Sequence, residues 1–264
     1  VGAIDFHTHA FPDALAARAV RFLEAEGGID AWLPGTVSAL LESMDRAGIE
    51  RSVVATIATR PKQFDSIFAW AQAIASPRIL PFPSIHPADP DAAKKVKKVA
   101  EAGFRGVKLH PYYQDFCVDE QRLFPIYAAL QDAGLAVLLH TGFDMAYERV
   151  RVADPSRCVR VKKLFPRLKL VAAHLGAWKD WGEVREHMLG RPIYMDLSYS
   201  LDFMTQDEAR ELILGHPREY LLFGTDSPWA EPTRVLKQVH DLHLDPDLEA
   251  DILHRNAARL LSLA

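Results

Sequence analysis

The chain of 264 residues carries 31 Lys and Arg against 35 Asp and Glu, a formal net charge of −4, with 49% hydrophobic residues and two cysteines, Cys117 and Cys158. That length suits one sizeable α/β domain, and residues 1–264 are read as a single unit. Mild acidity without a Lys/Arg stripe excludes an electrostatic footprint for nucleic acid, no run approaches the ~18 apolar residues of a membrane span, and two cysteines imply no disulfide framework, so a reducing cytoplasmic setting is expected.

Eight short β-rich runs alternate with helical patterns along the chain. The first, Ala3–His7, is apolar but is broken at once by Asp5, His7 and His9, so it does not read as a signal peptide. Phe11–Gly27 follows as an extra helix placed to cover the barrel mouth, because the first connection is too long for one loop and one helix. Thr36–Ala47 sets Val37, Leu40, Leu41 and Met44 on one stripe, and Gly48 marks its end. The second run is Ser52–Ile57. The third, Ile79–His86, carries Pro81 and Pro83 and fits a central strand least well. The Lys94, Lys95, Lys97, Lys98 cluster beyond it reads as a solvated helix face. Phe104–His110, Leu135–His140, Leu168–His174, Ile193–Ser198 and Tyr220–Asp226 complete the set, with helical stretches at Leu123–Asp132 and Trp181–Leu189 and with Gly103, Gly134 and Gly190 at helix ends. Eight near-continuous apolar strands alternating with helices predict a parallel, closed (β/α)8 barrel rather than an open sheet.

The titratable residues are not scattered over this pattern. His7, His9, His86, His110, His140 and His174 fall at strand C-terminal ends and Asp226 ends the eighth strand, the face where barrels of this kind place their chemistry. His187, His216, His240, His243 and His254 fall on helical or loop segments and read as surface or packing residues. His7 and His9 are two apart on a strand, so both imidazoles face one way and offer two neutral nitrogens to one divalent ion. An HxH alone is a weak signal; with His140, His174 and Asp226 at other strand ends it becomes specific. Three nitrogens and one carboxylate suit zinc, with iron or manganese as alternatives. Neither cysteine has a paired base nearby in sequence, and there is no glycine-rich phosphate loop.

Asp5-Phe6-His7-Thr8-His9, Leu139-His140-Thr141-Gly142, Ala173-His174-Leu175-Gly176 and Gly224-Thr225-Asp226-Ser227-Pro228 resemble the strand-end motifs of the amidohydrolase superfamily. The likeness is to its amidohydrolase-related branch, which includes aminocarboxymuconate semialdehyde decarboxylase and kindred aromatic-acid decarboxylases. It covers the whole chain, through Asn256-Ala257 and Arg259-Leu260-Leu261 in the closing helix. The resemblance implies His7, His9, His140 and Asp226 as ligands of one divalent metal. Asp226 also handles a proton, and His174 polarises substrate or water beside the metal. In two-metal relatives a carboxylated strand-4 lysine bridges the ions. Lys108 stands at that strand, but Gly106-Val107-Lys108-Leu109-His110-Pro111 resembles the one-metal branch more, where no bridge is expected.

Such a centre activates water for hydrolysis of an amide, lactone or ester in a small carboxylated or cyclic molecule, which is the leading expectation. The same residues serve non-oxidative decarboxylation of a small aromatic or unsaturated acid, the alternative. A barrel that binds without turnover would need no proton carrier. Arg60, His110, Tyr112, Trp178 and Trp229 are expected to contact substrate, with Tyr113, Phe143 and Tyr199 on neighbouring loops; His86 is a weaker candidate. A homodimer is expected from the habits of the relatives.

Overall fold

The computed structural model describes residues 2–263. Its strands are β1 (Ala3–Thr8), β2 (Ile49–Ala55), β3 (Ile79–Phe82), β4 (Gly106–Leu109), β5 (Ala136–Leu139), β6 (Lys169–Ala172), β7 (Tyr194–Asp196) and β8 (Leu221–Leu222). All neighbours pair in parallel, in the orders β1-β2-β3 and β4-β5-β6-β7-β8. Two seams join these sheets into a ring. Beyond β3 the link to β4 shrinks to a single parallel bridge, Ser84 to Lys108, reinforced by the Ser84 hydroxyl on the Lys108 carbonyl at 2.9 Å. Pro81 and Pro83 explain the thin ladder, since neither has an N–H to donate. At the other seam Phe6 N–H donates to Phe223 O at 2.9 Å and Asp226 N–H to His7 O at 2.8 Å, and Thr8 bridges Ser227.

The alternation of side chains follows the period of 2. Ile4, Phe6, Val53, Ala55, Phe82, Leu138, Val171 and Leu222 fill the barrel interior. Their neighbours Val54, Val107, Leu109, Val137, Leu139, Leu170 and Ala172 face the helices in the outer core. Truncating an interior residue such as Leu138, which is fully buried, costs ~2–5 kcal/mol because the closed ring cannot collapse around the cavity. On β4 the same alternation turns Lys108 inward between Val107 and Leu109.

The outer ring is α2 to α12 with α1 added above it. α1 (Asp13–Gly27) starts after Pro12, two residues later than the sequence pattern suggests, because proline fixes the turn ahead of it. α2 (Val37–Ala47) is capped by Thr36, whose hydroxyl accepts from Ala39 N–H, and ends at Gly48 with φ 71. α3 (Phe64–Ile74), α4 (Ala92–Glu101), α5 (Pro111–Gln114), α6 (Phe124–Ala133) and α7 (Pro155–Leu164) continue the alternation. The stretch expected as one helix from Trp181 to Leu189 is instead a single turn, α8 (Trp181–Glu183), running into a wider π-helical turn over Val184–Met188. α9 (Gln206–Leu214), α10 (Pro232–Asp241), α11 (Pro246–Ala250) and α12 (Asn256–Leu261) complete it, and Ala257, Leu260 and Leu261 of α12 pack against the interior cluster. No helix among the described residues is long and apolar enough to cross a membrane.

Candidate active site

At the C-terminal ends of the strands the barrel opens into a cavity of about 420 Å³. His7, His9, Lys108, His110, His140, His174 and Asp226 line it, together with Phe11, Trp70, Tyr113, Phe143, Trp178, Tyr199 and Trp229. Leu15, Leu23 and Gly27 of α1 also line it, so the extra helix does cover the site.

β1 delivers His7 and His9, and the seam with β8 delivers Asp226. Asp226 has φ 66, a left-handed backbone that non-glycine residues adopt at some cost, and it aims the carboxylate back across the seam. Asp226 Oδ1 lies 3.4 Å from His7 Nε2 and 3.1 Å from His9 Nε2. The far nitrogens are tied down: His9 Nδ1 donates to Ala55 O at 2.8 Å and His7 Nδ1 to Asp196 Oδ2 at 3.1 Å. Acceptors on both Nδ1 atoms leave both Nε2 lone pairs turned toward Asp226. The ligand atoms of His7, His9 and Asp226 all fall within 4.8 Å of one another. Two imidazole lone pairs and a carboxylate oxygen converging at that spacing fit a divalent cation.

His140 is placed differently from the other expected ligands. Its ring stacks on His110 at 4.2 Å between centroids, its Nδ1 is 3.1 Å from His174 Nε2, and its Nε2 is 3.0 Å from Phe143 O. Its metal-capable neighbours are His110 and Asp144, with Asp144 Oδ2 at 3.4 Å from His110 Nε2 and 3.7 Å from His140 Nε2. Neutral His140 has one ring proton for two neighbours that need it, His174 Nε2 and Phe143 O, and a cation beside it would relieve the mismatch. His174, at φ 61, sits between His140 and β7, its Nδ1 3.0 Å from the Ser198 carbonyl.

The electrostatics favour neutral ligands. Burial, and then the charge of Lys108, push the His7 imidazole well below its usual range. Burial likewise takes His110 down to about 4, His140 to about 3 and His174 to about 4. Burial raises the Asp226 carboxyl and His7 and His9 lower it below the usual carboxylate range, an effect carried by protons on their Nε2 atoms and lost once both are lone pairs. Asp144 is held low in the same way by His110 and His140. Burial lowers Lys108 to about 8. Lys108 Nζ lies 3.0 Å from His7 Nε2 and is the only Lys or Arg lining the cavity among the described residues.

Of the expected substrate contacts, His110, Trp178 and Trp229 line the cavity. Tyr112 and Arg60 do not. The Tyr112 hydroxyl is spent on the Gly142 and Val150 carbonyls at 3.1 and 2.7 Å, and Arg60 is an exposed residue capping the turn before α3. His86 is buried, with Nδ1 accepting from Ala88 N–H at 3.1 Å, and stays outside the lining. Asp196, Ser198 and Asp144 escaped the sequence reading. Asp196 and Ser198 share one face at the end of the seventh run, the signal that identified His7 and His9.

Among solved structures, an uncharacterized TIM-barrel protein from Bordetella bronchiseptica superposes with a TM-score of 0.80 at 24% identity, covering 99% of each chain. A 5-carboxyvanillate decarboxylase from Sphingomonas paucimobilis gives 0.74 at 16% identity, covering 100% of this chain and 99% of its own. A dihydroxybenzoic acid decarboxylase from Polaromonas sp. JS666, solved with bound manganese and the inhibitor 2-nitroresorcinol, gives 0.76 at 16% identity, covering 99% and 97%. These likenesses establish the (β/α)8 fold. Among curated proteins, none matches. The amidohydrolase family model matches residues 4–263, and the chain belongs to the amidohydrolase family.

Proposed function

We propose that the protein is a metal-dependent carboxy-lyase that releases CO2 from a small planar aromatic or unsaturated monocarboxylic acid. The observation that carries this reading is the buried ammonium of Lys108, the one Lys or Arg on the cavity lining among the described residues, against the His7, His9 and Asp226 cluster. A cavity with one cation pairs with one carboxylate, and the carboxylate of Asp144 disfavours a second. The volume of about 420 Å³ fits one substituted ring. The solved relatives with decarboxylase activity support the carboxy-lyase over the hydrolytic alternative.

His7, His9 and Asp226 would hold the divalent metal, with His140 completing the set as the family resemblance implies. When bound, the metal supplies positive charge that stabilises a substrate anion. Lys108 binds the carboxylate, and Phe143, Trp178, Tyr199 and Trp229 orient the ring and exclude water. Asp226 carries one proton from solvent to the ring carbon. The bond from that carbon to the carboxylate then breaks, its electron pair returns to the ring, and CO2 leaves. His174, with Nδ1 held by Ser198 and Nε2 3.1 Å from His140 Nδ1, keeps the His140 ring in place at the cavity wall.

The test is product analysis on metal-loaded enzyme. Hydroxybenzoic and unsaturated monocarboxylic acids should release CO2 stoichiometrically with loss of the acid. Efficient hydrolysis of lactones, esters or amides, with no CO2 from any acid, would return the reading to hydrolysis.

A further inference from the structure

Asp196 closes β7 with its side chain wholly buried, and no lysine or arginine contacts it. A buried carboxylate survives only where donors surround it, and here the donors belong to the site. Oδ2 lies 3.1 Å from His7 Nδ1. Oδ1 accepts from His174 N–H at 3.1 Å, from Ser198 N–H at 3.0 Å and from the Ser198 hydroxyl. The oxygen of that hydroxyl is in turn 2.9 Å from His7 Nδ1 and 3.0 Å from His174 Nδ1.

The proton count in this knot has one solution. An ionised carboxylate only accepts, so the proton between Asp196 and His7 sits on His7 Nδ1. The one proton of Ser198 goes to Asp196 Oδ1, which leaves the Ser198 oxygen as an acceptor for both imidazoles. His174 Nδ1 also faces the Ser198 carbonyl at 3.0 Å, an acceptor again, so its proton is on Nδ1 as well. His7 Nε2 must then be a bare lone pair, consistent with Lys108 Nζ approaching it at 3.0 Å.

We infer that Asp196 is the positioning residue of the centre: through its own carboxylate and Ser198 it fixes the Nδ1–H tautomer of both His7 and His174, and so holds His7 as an Nε2 ligand. The inference rests on reading His7 as a ligand, and it assigns the choice of ligating nitrogen to a strand-7 residue that touches neither metal nor substrate. A residue serving only to satisfy the backbone at the end of β7 would bond the two N–H groups and leave His7 indifferent.

Asp196→Asn separates the two roles. The amide oxygen can still accept from His174 and Ser198 N–H, while the amide NH2 faces His7 Nδ1 and drives the proton to Nε2. The variant should fold, yet bind Mn²⁺ or Zn²⁺ roughly 10–100-fold more weakly by calorimetric titration of metal-stripped protein. Long-range ¹⁵N–¹H NMR should show the His7 proton moved from Nδ1 to Nε2. Wild-type metal affinity with an unmoved tautomer would reduce Asp196 to a backbone cap. If Asp196→Asn does not fold, the same NMR on metal-stripped wild type decides: Nδ1–H at both His7 and His174 is required, and Nε2–H at His7 overturns the inference. Wild-type metal affinity in the His7→Ala variant would instead remove the ligand reading beneath it.

Discussion

Lys108 Nζ approaches His7 Nε2 to 3.0 Å, so a strand-4 cation and a strand-1 imidazole from opposite seams of the barrel meet inside one wall of the cavity. The contact is unusual because an almost fully buried ammonium, 1% exposed, has an imidazole and no carboxylate as its hydrogen-bond partner.

Replacing Lys108 by Met keeps the stem and removes the charge. A charge-assisted hydrogen bond contributes ~1.5–3 kcal/mol, so affinity for the acid should fall about 10–100-fold. Thermal stability should hold or rise, because an isolated buried ammonium is costly and a thioether of similar volume is not. Calorimetry with a non-reactive aromatic acid on metal-loaded protein measures the first and thermal melts the second. Undiminished affinity in Lys108→Met would remove the carboxylate-binding role.

Metal binding and proton transfer should separate among the strand-end residues. Wild type is expected to hold about one divalent ion per chain, and the His7→Ala, His9→Ala double variant essentially none, with circular dichroism unchanged. Asp226→Asn should lose turnover by ~10² or more, because the amide cannot carry the proton, while metal content falls only in part. His174→Asn should lose turnover on the order of 10² by releasing the His140 ring, with metal content near wild type. Elemental analysis beside CO2 release distinguishes these outcomes. Two ions in wild type, one of them lost in His174→Asn, would make Lys108 a bridging residue.

His216 gives a pH-dependent term far from the site. It is buried, its Nε2 donates to Ile193 O at 2.8 Å, and its Nδ1 has no partner. Burial lowers its pKa from 6.5. The unfolded chain therefore takes up a proton as pH falls through 6.5 while the folded chain does not. The His216 contribution is fully present above that value and is lost as pH falls below it toward the folded pKa. The stability advantage of wild type over non-titrating His216→Gln should shrink between about pH 7.5 and about pH 5.5 in denaturant melts. An advantage that is constant or grows on acidification would contradict this.

Gly142 follows His140 and Thr141 at φ 85, and a Cβ there would overlap the Trp178 backbone with which it forms a parallel bridge. Gly142→Ala combines a left-handed backbone with a backbone clash and should destabilise by more than about 2 kcal/mol, read from denaturant melts. An unchanged melt would mean that the loop after β5 yields easily.

Strand ends were legible because inward residues repeat every second position. His7 with His9 and Lys108 with His110 could be paired by counting, and the eight runs gave the barrel. Asp196 and Ser198 obey the same rule, but an acid among apolar neighbours reads as a strand end until the donors around it are known, and apart from Ser198 itself those come from β1 and the end of β6. Tyr112 and Arg60 failed for another reason. Loop position does not reveal whether a hydroxyl has carbonyls within reach, as Tyr112 has, or whether a guanidinium turns to solvent, as that of Arg60 does. The π-helical turn after α8 was equally invisible, since apolar spacing over Val184–Met188 does not register an i→i+5 bond. Where prolines thinned the ladder, at β3, composition did carry the warning.

Asp5 joins the two ends of the chain: its Oδ1 accepts from Thr225 N–H at 2.9 Å and its Oδ2 from the Thr225 hydroxyl at 2.6 Å, across a separation of 220 residues. The His7–Asp226 contact lies beside this clasp. Bringing such distant segments together costs about 5 kcal/mol by loop-closure scaling alone, before any local contact compensates. Ring closure and assembly of the His7, His9 and Asp226 cluster are thus coupled, because the same β8–β1 seam supplies both. A chain still lacking β8 has His7 and His9 but not the Asp226 carboxylate that faces them, so the cluster is complete only when the last strand is in place.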